Sequence, residues 1–135
     1  MEPVEKSIST EADMAKILLI DDDPLISQMI SSVLNASGHS TSIAGSGKAG
    51  FEMLLQEKPD CVILDHILPD ILGIQVLESI RENDEVKDTP VIFYTGYNDL
   101  EIKKEATRLG VVKYLLKFEI KIQTLPTIIQ EVLKK

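Results

Sequence analysis

Lys16-Ile17-Leu18-Leu19-Ile20-Asp21-Asp22-Asp23-Pro24 is an apolar run cut off by three carboxylates and a proline. Five aliphatic-rich residues bounded this way are too short for a helix and suit a strand buried on both faces. The next segment reads as a helix. Asp23 is a good N-cap, and Pro24 fits the first helical position, where no N–H is needed. Leu25, Ile26, Met29, Ile30, Val33 and Leu34 make one apolar face, and Gly38 is a stop.

The same alternation continues to the end of the chain. Further buried strands are predicted at His39–Ala44, Cys61–Leu64, Val91–Tyr94 and Lys113–Leu116. Helical spacing predicts helices at about Ser46–Lys58, Ile74–Glu82 and Asn98–Leu109, and from Thr124 to the end. Strict strand–helix alternation implies right-handed crossovers and a parallel sheet covered on both faces. Five such units predict an α/β three-layer sandwich, a flavodoxin-like (βα)5 fold with strand order 2-1-3-4-5. Residues 1–15 are polar and acidic, and read as a flexible tail or linker ahead of a domain over 16–135.

The bulk properties agree. The chain has 135 residues, 44% hydrophobic and 27% charged, with a formal net charge of -8. That length suits one domain with one full core. The acidic balance argues against direct binding to nucleic acid or to an anionic membrane. Cys61 is the single cysteine, so no intramolecular disulfide forms, and within Cys61-Val62-Ile63-Leu64 it reads as a buried thiol. No apolar stretch reaches the length of a membrane span, and the acidic N-terminus does not resemble a signal peptide. The expected compartment is the cytoplasm.

In open parallel sheets, ligands bind beyond the carboxyl ends of the strands, at the switch point between strands 1 and 3. Asp21, Asp22 and Asp23 follow strand 1, Asp65 follows strand 3, Thr95 strand 4 and Lys117 strand 5. Crowded carboxylates repel unless a cation neutralises them. Mg2+ takes oxygen ligands and retains places for water or phosphate. A hydroxyl and an ammonium facing the same point suit a phosphoryl group arriving at a carboxylate nucleophile. Each residue alone has a plain structural reading; the joint occurrence points to chemistry.

These residues carry a resemblance. Over about Lys16–Lys135 the chain resembles a receiver domain of the bacterial response regulators. Ile17–Pro24 is similar to the family's acidic motif. Asp65 stands at the phosphoacceptor position in Val62–Gly73, with Pro69 and Gly73 at the family's offsets. Thr95 matches the switch hydroxyl, Tyr114 the switch aromatic and Lys117 the family's lysine. The resemblance implies phosphoryl transfer to Asp65 from a phosphohistidine on a sensor histidine kinase or a histidine phosphotransfer protein. It implies Mg2+ held by Asp21, Asp22, Asp65 and a backbone carbonyl near Ile67. It also implies a signal passed through the face made by the fourth helix, fifth strand and last helix to a downstream protein or output domain. The domain would then assist only its own phosphorylation and dephosphorylation and would not otherwise be an enzyme. Homodimerisation stays open, as does whether the receiver stands alone or is part of a larger protein.

Two other readings compete. One is a receiver-like scaffold that is not phosphorylated. The other is an aspartate-nucleophile phosphatase of the haloacid dehalogenase type, with Asp21 and Asp23 as its D-x-D; it needs an acidic pair after the lysine that Glu119 and Glu131 supply poorly. Gly45-Ser46-Gly47-Lys48 is not a phosphate loop, since Ser42 and Ala49 replace the required Gly and Ser/Thr. His39 and His66 lack partners at metal spacing and read as structural or solvent-facing. Phe118 stands where the family usually has proline, so a trans Lys117–Phe118 bond is expected. Ile67 and Tyr97, two residues after the acceptor and the switch hydroxyl, predict a long-lived aspartyl phosphate.

Overall fold

The computed structural model of the protein describes residues 14–134. The strands are β1 (Lys16–Ile20), β2 (Ser40–Ala44), β3 (Cys61–Leu64), β4 (Val91–Thr95) and β5 (Lys113–Leu116). The helices are α1 (Pro24–Ala36), α2 (Gly47–Glu57), α3 (Gly73–Glu82), α4 (Leu100–Arg108) and α5 (Leu125–Leu133), the last preceded by a 3-10 turn at Ile122–Thr124. All strand pairs are parallel, in the order β2-β1-β3-β4-β5. The predicted flavodoxin-like architecture is the one observed.

Strand parity divides the core into two apolar layers, since successive side chains point to opposite faces. Leu18, Ile20, Val62, Leu64, Val91 and Phe93 pack with Leu54, Val76, Leu77, Ile80 and Ala106 of α2, α3 and α4. Ile17, Leu19, Cys61, Ile63, Ile92 and Tyr94 pack with Ile30, Leu34, Leu125 and Ile129 of α1 and α5. Fully burying each large aliphatic side chain contributes about 1.5–3 kcal/mol. No helix among the described residues is long and apolar enough to cross a membrane.

The helix ends follow local chemistry. Asp23 Oδ1 accepts from Leu25 N at 3.0 Å and Ile26 N at 3.2 Å, with Pro24 opening the first turn. Gly38 takes φ 97°, a left-handed conformation that lets His39 N return to Leu34 O at 3.1 Å; glycine adopts it without steric cost.

Some boundaries move. Ala15, just ahead of β1, is buried; its N–H donates to His39 Nδ1, and its carbonyl accepts from Ser40 N. Residues 1–13 of the expected tail lie outside the described residues. Helix α4 starts at Leu100, because Asp99 caps the N–H groups of Glu101 and Ile102. Thr95 lies inside β4, paired with Leu116. The Lys117–Phe118 peptide is trans, as are all described peptide bonds.

Candidate functional site

Parallel register brings the acidic residues together. Ile20 pairs with Leu64, and the ladder continues one residue further, with Asp65 N donating to Ile20 O at 3.0 Å. Asp21 and Asp65 therefore leave adjacent central strands side by side. One oxygen from each of Asp21, Asp22 and Asp65 lies within 4.8 Å of the others. Asp21 and Asp65 are buried, whereas Asp22 is exposed.

Lys117 enters from the end of β5. Its Nζ donates to Asp21 Oδ2 at 2.7 Å and to Asp65 Oδ2 at 3.2 Å. The other oxygens are also engaged: Asp21 Oδ1 accepts from Asp23 N at 3.0 Å, and Asp65 Oδ1 from His66 N at 2.7 Å. Burial pushes the Asp21 carboxyl above its usual range, against the pull of Lys117 and with the charge of Asp65 adding to the rise. Burial also pulls the Lys117 ammonium down, but its bond to Asp21 and the two carboxylate charges outweigh that and leave it raised. Three carboxylates thus meet one ammonium, and the excess negative charge of an all-oxygen donor set fits a hard divalent cation.

Thr95 is fully buried at the end of β4, and its Oγ1 accepts from Tyr97 N at 3.2 Å. The Tyr114 hydroxyl donates to Tyr97 O at 2.9 Å. The two residues implied as the switch pair thus hold the two ends of one residue's backbone. Ile67 is exposed on the loop after β3. His66 is buried rather than solvent-facing: its Nδ1 accepts from Ile74 N at 3.3 Å, and its ring lies 5.1 Å from that of Tyr97 and 6.1 Å from that of Phe93. Burial lowers its pKa and favours the neutral ring that this acceptor role requires. His39 is likewise structural.

Two positioning features escape a residue-by-residue reading. Asp70 leaves the loop after β3 and accepts from Gly47 N at 2.8 Å and Lys48 N at 2.9 Å. A carboxylate of the chain itself therefore occupies the start of α2, where the rejected phosphate-loop reading would have placed a ligand. Gly73 closes the same loop, donating its N–H to His66 O at 2.6 Å. The offset of Gly73 was visible in sequence; the close approach that requires it was not.

A parallel α/β sheet with a polar cluster at the β1/β3 switch point defines a flavodoxin-like domain with its site at the strand ends. The family model for the response regulator receiver domain matches residues 17–130. The chain is 34% identical over 104 residues to the DNA-binding dual master transcriptional regulator RpaA of Synechocystis sp., covering 77% of this chain and 43% of that protein. It is 32% identical over 102 residues to sporulation initiation phosphotransferase F of Bacillus subtilis, covering 76% of this chain and 81% of that protein. The chain therefore spans less than half of the first relative and most of the second. Among solved structures, a CheY-like receiver domain protein from Methanospirillum hungatei superposes with a TM-score of 0.83 at 26% identity, covering 90% of this chain and 94% of that one. The Mn2+-bound form of response regulator Rcp1 gives a TM-score of 0.74 at 28% identity, covering 87% and 91%. The chain belongs to the response regulator receiver domain family of two-component signalling.

Proposed function

We propose that residues 16–135 form a phosphoryl-accepting receiver in which Asp65 is the acceptor and Asp21, Asp22, Asp65 and the Ile67 carbonyl hold Mg2+. The observation that carries this reading is the convergence of three carboxylates with Lys117 bridging Asp21 and Asp65. The Mn2+-bound relative supports a divalent ion. When bound, Mg2+ supplies positive charge to the phosphoryl oxygens.

The donor is a phosphohistidine on a sensor histidine kinase or histidine phosphotransfer protein. An Asp65 oxygen attacks phosphorus, the P–N bond breaks, and its electron pair leaves with the imidazole. Lys117 exchanges a carboxylate bond for one to a phosphoryl oxygen, in a partly buried place where such a bond is strong. Thr95 accepts from Tyr97 N, so its own O–H stays free to donate to the same group. Drawing Thr95 toward phosphate shifts Tyr97, whose carbonyl holds Tyr114. The α4–β5–α5 face changes population accordingly and signals to a downstream protein or output domain. The protein works in the cytoplasm and turns over no substrate beyond its own acyl phosphate.

The test is intact-mass measurement after incubation with acetyl phosphate and magnesium. One phosphoryl group is expected on the native chain, and none on Asp65→Asn or with chelator present. Asp22→Ala should lower labelling and magnesium affinity together. Normal labelling of Asp65→Asn would sink the assignment.

A further inference from the structure

The ammonium of Lys117 can serve Asp65 only if the chain after β5 holds its backbone still. Its N–H is fixed by Thr95 O at 2.9 Å. Beyond it, the segment Phe118–Thr124 has little of its own to hold it. Phe118 is 67% exposed and contributes no anchor. Glu119 N and Ile120 N both turn back to Leu116 O, at 2.9 and 3.0 Å, and Thr124 N donates to Lys121 O within the segment. Ile120 and Ile122 pack against the α1/α5 apolar layer. That packing is non-directional and does not set which way a peptide faces.

Among the described residues, one side chain of the sheet makes a hydrogen bond to this turn. Tyr94 is buried in β4, next to Thr95, and its hydroxyl donates to Ile120 O at 2.7 Å. Tyr94 and Ile120 both line a cavity of about 270 Å³, together with Ile26, Met29, Lys117 and Lys121. A hydroxyl oriented by a buried ring has little freedom, so this bond sets direction as well as distance.

We propose that Tyr94 is a positioning residue for Lys117: its hydroxyl fixes the Phe118–Thr124 turn and so holds the ammonium between Asp21 and Asp65. The proposal rests on the reading of Asp65 as acceptor and Lys117 as its partner. Without the hydroxyl, Ile120 O loses its partner, the turn gains freedom, and Lys117 spends less time in the geometry that receives a phosphoryl oxygen. The carboxylates that would hold the metal follow β1 and β3, and the N–H groups of Asp23 and His66 hold Asp21 and Asp65 without help from the turn, so the metal keeps its ligands.

The experiment compares the intact protein with Tyr94→Phe, which keeps the ring, and with Ile30→Val, which trims the same apolar layer without removing a hydrogen bond to the turn. Each is labelled with acetyl phosphate, a donor too small to depend on a docking surface. For Tyr94→Phe, labelling at saturating donor should be about tenfold slower, less than the roughly 100-fold that a misplacement of about 1 Å can cost, because Asp21 and Asp65 still hold the ammonium. The magnesium concentration giving half-maximal labelling should not rise, and amide hydrogen exchange at Phe118–Thr124 should quicken. Ile30→Val should label at the native rate. Labelling of Tyr94→Phe at the native rate would overturn the proposal. So would equal slowing in Ile30→Val, or failure of Tyr94→Phe to fold, since either makes the effect one of stability. If the native protein itself takes no label, the reading of Asp65 fails instead.

Discussion

A Cβ added at Gly73 would collide with the Asp65 carbonyl and lie 2.7 Å from His66 Cα. Both neighbours are backbone and cannot swing aside as a side chain would. Gly73→Ala therefore pushes on the backbone of Asp65, the proposed acceptor. It should destabilise the fold by about 1–3 kcal/mol, the usual range for overpacking, and should weaken magnesium binding. Urea unfolding and a magnesium titration check both. At the mouth of the site, Ile67 is 48% exposed, and the Tyr97 ring lies on His66 at 5.1 Å. Hydrolysis of an aspartyl phosphate needs a water placed in line behind phosphorus. Isoleucine cannot orient that water, and the role expected of the Tyr97 ring, packed against His66 beside Asp65, is to cover part of its approach. Ile67→Asn and Tyr97→Ala should each shorten the phosphate lifetime by about tenfold, roughly 1.4 kcal/mol of barrier. Decay of labelled protein after donor removal is the readout, and an unchanged lifetime in both variants contradicts the gating role.

Among the elements, the loop after β3 and the helix α2 are joined through Asp70. Its carboxylate accepts backbone N–H groups from Lys48 first, then Gly47, and these bonds hold its pKa below the usual carboxylate value. A depressed folded pKa means that this contribution is present above the unfolded pKa and lost as pH falls through the folded one. Asp70→Asn should therefore be less stable than the native protein at neutral pH. The gap should close below the ordinary aspartate pKa of about 3.9. Urea midpoints measured across this range decide it; a gap independent of pH contradicts the ionic origin. The contrast with α1 shows what sequence can reveal. Asp23 caps the helix that it immediately precedes, and a local pattern of that kind is readable. Asp70 caps a helix 23 residues earlier in the chain, and nothing in its own neighbourhood signals that. Asp99 took the cap of α4 from the predicted start at Asn98 for the local reason that its side chain reaches Glu101 N and Ile102 N.

At the scale of the whole molecule, strand order was legible because buried parallel strands with helical crossovers admit few topologies. Asp21, Asp65 and Lys117 were legible as a set because such a sheet delivers the ends of β1, β3 and β5 to one edge. The turn after Lys117 was not legible. Its tether is a tyrosine hydroxyl 26 residues away in sequence, from a residue that by pattern is only a strand apolar. The central claim, that Asp65 takes the phosphoryl group, meets its most direct test in the chemistry of the acyl phosphate. Borohydride reduces an aspartyl phosphate to homoserine. Protein labelled with acetyl phosphate and magnesium, reduced, digested and sequenced by mass spectrometry should carry homoserine at position 65. Homoserine at Asp21 or Asp22 in place of position 65, or at no position, would contradict the account.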